Sequence, residues 1–279
     1  MVKRLNAKLS EVLMSRSKVT IKDVAREAGV SIATVSYVIN DRIDIKISEA
    51  TRKKVLQVIN LLDYSPNQAA KALAANRKSL LGIYISPTQS MMENAENMFM
   101  LKKLVNFFHQ NKYEIILLDD QNLEKCDQAD AIICYNTSGD NFRKLGNNNF
   151  IPLLALDCMI HDPLFFQINT DPERLKSAAD AHFNGDAYTY LTLATQNEEK
   201  IAFYSNTYNN VEFISFYEDL EEYTDKNLLL SDQTLFEVLK TKNNVCYVPS
   251  LTDSKLAKLY ECIESAVART PIDQHDVLV

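Results

Sequence analysis

No apolar run in this chain reaches the roughly 20 residues that a bilayer-spanning helix needs. The opening stretch from Met1 to Lys8 has no apolar core and no small-residue cleavage site, so no secretory leader is expected and the chain is placed in the cytoplasm. Cysteine is sparse and odd in number, with five residues at 126, 134, 158, 246 and 262 and no Cys-x-x-Cys spacing. That argues against a disulfide framework and a zinc site, and for buried thiols in a reducing compartment. Glycine also numbers only five, and none of GxGxxG, GxxxxGK[ST], GxSxG or HExxH occurs. The histidines, at 109, 161, 182 and 275, are scattered. Acidic pairs such as Glu198-Glu199 and Glu221-Glu222 have no histidine converging on them and read as solvated faces. The expectation is a protein with no catalytic machinery, no metal and no cofactor.

What the chain does have is an uneven charge. Residues 1–80 carry 15 Lys and Arg against 7 Asp and Glu, while residues 81–279 carry 15 against 30, so a basic head and an acidic body hide inside the total of −7. Such a split points to a polyanion met by the head alone.

The head is patterned. Thr20 and Asp23 have capping-box spacing, so a helix starts at Ile21, with Ile21, Val24, Ala25 and Ala28 on one face. Gly29 follows where the chain needs a left-handed residue to stop and turn. Ser31 is placed to cap a second helix. In it Val35, Val38 and Ile39 face inward, Ile32, Ala33, Ser36 and Tyr37 face outward, and Asn40 closes it. This is the layout of a helix-turn-helix, whose second helix enters a DNA major groove. A third helix follows Ser48, with Val55, Ile59 and Leu62 inward and Thr51, Arg52, Lys53 and Lys54 near its start, where a phosphate can be held. Pro66 bars its continuation. Asn67 can cap a short alanine-rich helix ending by Asn76, whose one large apolar residue is Leu73. A lone helix this short is marginal in water. It is either a plain linker or a segment that folds on pairing with a second copy.

These stretches together, from Thr20-Ile21-Lys22-Asp23-Val24-Ala25 through Ala28-Gly29-Val30-Ser31, Thr34-Val35-Ser36, Asn40, Thr51-Arg52 and Tyr64-Ser65-Pro66-Asn67 to Ala72-Leu73-Ala74 and Lys78-Ser79-Leu80-Leu81-Gly82-Ile83, resemble the LacI/GalR family of bacterial repressors. The resemblance implies roles position by position. Ile32, Ala33, Ser36 and Tyr37 match major-groove readers. Thr20, Ser31, Thr34 and Asn40 match phosphate-proximal or base-edge polar positions, and Thr51, Tyr64 and Asn67 match backbone contacts. Leu73 matches a leucine that wedges into the minor groove and kinks it, with Ala70 and Ala74 as its close-packed neighbours. Apolar Ile32 and Ala33, and Tyr37 where relatives often have arginine, depart from the commoner readers and lean toward thymine methyl groups.

Beyond Leu81, short apolar runs alternate with helical stretches, which implies a parallel sheet flanked by helices. Strands are expected at 83–86, 113–119, 131–135, 151–156, 165–168, 201–205, 228–230, 245–248 and 277–279, and helices near 93–111, 174–184, 211–223, 234–242 and 254–268. By resemblance this is a shortened form of the two-lobed periplasmic-binding-protein-like fold. Only Gln121 to Gln128 is left for a crossover between the second and third strands, too little for a full helix. No arginine follows Ser205 where relatives grip an effector, and the chain reaches Val279 before the expected return to the first lobe. Two accounts fit: a domain that has lost its pocket and kept dimerisation, or a truncated product of a longer sequence. Asp119 and Asp120, at a parallel strand's C-terminal edge, are the remaining ligand-site candidates.

The expected organisation is an extension over 1–18, which reads as a short amphipathic helix or frayed tail, a helix-turn-helix domain over 19–66, a hinge helix or linker over 67–79 and an α/β regulatory and dimerisation domain over 80–279. The expected function is a sequence-specific transcription regulator, a repressor acting as a homodimer on a palindromic operator in double-stranded DNA. A small-molecule effector is doubtful and no membrane is involved. The rival readings are a cytosolic sugar-binding module and an effector-independent DNA-binding protein with a degenerate ligand domain.

Overall fold

The computed structural model describes residues 19–39, 45–62, 64, 79–118, 126–270 and 274–279, in two compact units, 1–76 and 77–279. The extension over 1–18, Asn40, the expected helix with Asn67, Ala70, Leu73 and Ala74, and the pair Asp119 and Asp120 lie outside the described residues.

In the first unit, α1 (Ile21–Ala28), α2 (Ile32–Ile39) and α3 (Glu49–Leu61) pack around a core of small apolar side chains. Val24, Ala25, Ala28, Val35, Val38, Val55 and Val58 are buried, with Ile21, Ile39, Ile59, Leu62 and Tyr64 packed against them. Helices this short cannot hold themselves, so this shared valine and alanine core is what holds them. Val58 joins the inward face that was expected from Val55, Ile59 and Leu62.

The second unit has two parallel sheets. β1 (Leu80–Ile85), α4 (Met91–Gln110), β2 (Glu114–Leu117), β3 (Ala131–Tyr135), α5 (Gly139–Asn148), β4 (Leu153–Leu156) and β5 (Phe166–Asn169) build the first lobe. The chain then crosses to the second lobe through α6 (Pro172–Phe183), β6 (Thr189–Leu193), α7 (Glu198–Thr207), β7 (Val211–Ile214), a 3-10 turn (Tyr217–Glu222), β8 (Asn227–Leu230), α8 (Gln233–Leu239) and β9 (Asn244–Tyr247). It returns through α9 (Asp253–Ala268) and β10 (Asp276–Leu278). The strand orders are β10-β5-β4-β3-β1-β2 and β7-β6-β8-β9. Strands β3 and β4 are buried at every residue, as parallel strands covered on both faces must be. Helices α4 and α9 cover one face of the first sheet with Met100, Leu104, Phe108, Leu256, Leu259 and Ile263, and α5 covers the other with Phe142 and Leu145.

Three expectations are corrected. Residues 201–205 are not a strand but the middle of α7: Asn197 accepts the Lys200 amide at 2.7 Å, and Glu198 and Glu199 fill the first turn. The expected helix over 211–223 is strand β7 followed by the 3-10 turn. And the chain does return to the first lobe, because β10 pairs in parallel with β5. The argument from a missing arginine after Ser205 assumed a strand there, and falls with it. Strand β6 and helix α5 were not anticipated. The short crossover stands: its described residues, 118 and 126–130, are not helical, and β2 and β3 both pair with β1.

Candidate nucleic-acid interface

Each helix of the head begins on a hydroxyl. At α1 the Asp23 carboxylate accepts from the Thr20 amide at 3.0 Å and from its hydroxyl at 2.7 Å, and these bonds, the hydroxyl's first, lower the Asp23 pKa. At α2 the Ser31 hydroxyl accepts the Thr34 amide at 3.0 Å and lies 2.9 Å from the Thr34 hydroxyl. At α3 Ser48 repeats the arrangement, accepting the Thr51 amide at 3.1 Å with the two hydroxyls 2.8 Å apart. A capped N-terminus concentrates partial positive charge and amide donors, the requirement for holding an anion. The sequence had not singled out the Ser48 hydroxyl as a candidate, although its spacing to Thr51 repeats that of Ser31 to Thr34.

Gly29 makes the turn. It sits at φ 65° and ψ 36°, and the Val30 amide donates to the Ala25 carbonyl at 3.0 Å, closing α1 and redirecting the chain into α2. Among the described residues a Cβ here would meet the Lys54 ammonium alone, at 3.7 Å, so the backbone conformation rather than space calls for glycine.

The outward side of α2 carries Ile32, 44% exposed, and Ala33, also exposed, with Thr34, Ser36 and Tyr37 half-buried behind them. Thr20 is exposed at the start of α1, Thr51 is half-buried at the start of α3, and Tyr64 packs beside the core just past α3, its amide bonded to the Ile59 carbonyl at 3.0 Å. The structure thus gathers Ser31, Ile32, Ala33, Thr34, Ser36 and Tyr37 on one short helix, with Thr20 and Thr51 on separate helix starts. Lys22, Arg26, Lys46, Lys53 and Lys54 are exposed around them. Arg26 pairs with Asp23 at 2.7 Å, a surface contact that leaves the cation free to solvent.

A three-helix unit with a glycine turn and an outward-facing second helix, followed by a two-lobed parallel α/β unit, defines a helix-turn-helix protein with an α/β body. The model of "Bacterial regulatory proteins, lacI family" matches residues 20–67, the three-helix unit. It is 31% identical to catabolite control protein A of Streptococcus mutans over 67% of this chain and 54% of that protein. To the transcriptional regulator RegA of Clostridium saccharobutylicum it is 56% identical over 24% of this chain and 19% of that one. The chain therefore spans about half the length, or less, of these relatives. The solved lac repressor dimer bound to operator and the anti-inducer ONPF shares the fold, with a TM-score of 0.52 and 17% identity over 94% of this chain and 96% of that chain.

Proposed function

We propose that the chain is a sequence-specific DNA-binding transcription regulator, a repressor that acts as a homodimer on a near-palindromic operator in the cytoplasm, without catalytic activity. The observation that carries this reading is the outward face of α2, where an exposed isoleucine and alanine follow a capped helix start, uncovered by any of the head's described residues. In a major groove Ile32 and Ala33 meet thymine methyl groups, and Ser36 and Tyr37 meet base edges one turn on. Ser31 and Thr34, with Thr20, Thr51 and Tyr64, lie against phosphates and fix the helix in register. Asn40 is a further polar contact to the same backbone. Asn67, Ala70, Leu73 and Ala74 form the paired minor-groove helices, Leu73 being the wedge.

One such head contacts too little DNA for tight specific binding, so two must act together. The body supports pairing with a second copy: Met91, Met98 and Leu117 are 87%, 52% and 56% exposed along α4 and the edge strand β2. The test is a gel shift against total genomic fragments, followed by footprinting and sedimentation. A dimer that protects a symmetric site is expected. A monomer at micromolar concentration, or no fragment retained above nonspecific background, overturns the reading.

A further inference from the structure

The two lobes of the body face each other across the C-terminal ends of their parallel strands, the position where open α/β sheets bind ligands. Tyr135 ends β3 and Asn136 follows it, Asp157 follows β4, Thr192 and Leu193 end β6, and Asp232 follows β8. The cavity left there, lined by Glu96, Tyr135, Asn136, Thr192, Lys200 and Asp232 among others, is only about 20 Å³. Between these groups there is room for one water molecule and not for an organic ligand, in contrast to the open groove of about 460 Å³ at the ends of β1 and β2, lined by Ser86, Asn97 and Leu117 among others.

The protein's own polar groups fill the cleft instead. From the first lobe, Glu96 on α4 is buried and reaches the start of α8 in the second lobe. Its carboxylate accepts the Gln233 amide at 3.2 Å, the Thr234 amide at 2.8 Å and the Thr234 hydroxyl at 2.7 Å. In the other direction Asn197, fully buried at the start of α7, donates to the Thr137 carbonyl at 2.8 Å and the Met159 carbonyl at 3.0 Å. The Thr195 hydroxyl donates to Asn136 at 2.8 Å.

The strongest link is at the two crossings between lobes. Thr170 lies on the first crossing, between β5 and α6, and Ser250 on the second, between β9 and α9. The Lys255 ammonium, with no solvent exposure, donates to the Thr170 hydroxyl at 2.8 Å and to the Ser250 carbonyl at 3.1 Å, and forms an ion pair with Asp157. One cation therefore ties both crossings to the end of β4. Burial pulls Lys255 down to about 8 against the attraction of Asp157. The pair is thus costly to the fold, as buried pairs often are, and what it supplies is a fixed geometry.

The geometry points to a body locked shut from within: Glu96, Thr195 and Asn197 bridge the lobes where an effector would otherwise join them, and Lys255 pins both crossings, so closure needs no small molecule. If the DNA-binding reading above holds, a consequence resting on it is a head whose affinity no cleft ligand controls.

The lock is tested on the full chain without DNA, so its failure is separable from that of the DNA-binding reading. Lys255→Ala removes the atoms of n-propylammonium and leaves Asp157 unpaired, its Oδ2 being already without a hydrogen-bond partner. Opening is read at the buried Cys158, whose thiol donates to the Thr137 carbonyl at 2.9 Å beside Asn197. Its labelling by a disulfide reagent, followed at the peptide level, should speed up on the order of tenfold or more in the variant. Added n-propylammonium should reverse this, and tetramethylammonium should not. Labelling unchanged by the substitution, or changed but indifferent to the amine, overturns the lock. Should Lys255→Ala fail to fold, Glu96→Ala serves the same readout, with faster labelling expected and unchanged labelling overturning it. In the wild type a thermal-shift screen of monosaccharides, disaccharides and their phosphates should give no shift. A reproducible shift overturns the proposal, because a ligand that binds the native state must raise its stability.

Discussion

The Ser31 hydroxyl stands 2.9 Å from the hydroxyl of Thr34 and takes that residue's amide hydrogen bond at 3.0 Å, so one serine both starts α2 and orients the next hydroxyl on its outward side. Ser31→Ala removes the acceptor and frees Thr34 to rotate. A stability loss of about 1 kcal/mol is expected from the cap alone. The loss of operator affinity should exceed what this instability explains, since the proposed phosphate contact goes as well. Equal affinities under conditions where both proteins are fully folded would count against α2 as the reading helix.

Salt should weaken binding steeply, because Lys and Arg of the head displace counterions from phosphates. Exposed Lys53 and Lys54 sit at the start of α3, and replacing either by glutamine should lower the slope of log K against log salt by about one. An affinity that barely changed between low and physiological salt would contradict the basic-head argument.

Leu73 gives the test of the hinge segment. Leu73→Ala keeps helix propensity, alanine being the best helix former, and removes the proposed wedge. Bending and specific affinity should fall by a large factor while nonspecific, salt-sensitive binding persists. A circular-permutation bend assay on one operator checks this. Equal bending by the two proteins would make the segment a linker only.

Asp232 carries a pH signature. Burial, and then the neighbouring Glu96, push it from 3.8 up to about 7, against hydrogen bonds from the Thr192 hydroxyl and the Leu193 amide. Between those values the folded chain holds a proton that the unfolded chain has released. The favourable contribution of this group is therefore present below about 4 and lost as pH rises through about 7. Asp232→Asn, whose amide oxygen can still accept both bonds, should be more stable than wild type at pH 8, with the difference shrinking toward pH 4. Urea titrations that run parallel at both pH values would rule this out.

The head was legible because its instructions are local. Thr20 with Asp23, Gly29, and Ser31 with Thr34 each act within a few residues. The first lobe was nearly as clear, since β3 and β4 are unbroken apolar runs. The second lobe was not, because Ile201-Ala202-Phe203-Tyr204 is an apolar run that periodicity alone assigns to strand as readily as to helix. The cap at Asn197 and the two glutamates after it were the signal that distinguishes them. The interlobe lock had no local signature: Lys255 meets Asp157 98 residues away, and Glu96 meets Thr234 across 138. Only the folded topology brings them together.

Strand β10 pairs with β5 only after every element of the second lobe has been made. On a ribosome the head, built from local helices, completes early, whereas β5 waits with one edge open through the synthesis of the whole second lobe. Until β10 arrives, Phe166 to Asn169 offers unpaired amides and carbonyls to any passing strand. Translation speed over the second lobe, and chaperone access during it, thus bear on how much of this chain reaches its native form, and a chain released early would carry a finished head on a sticky, unfinished body.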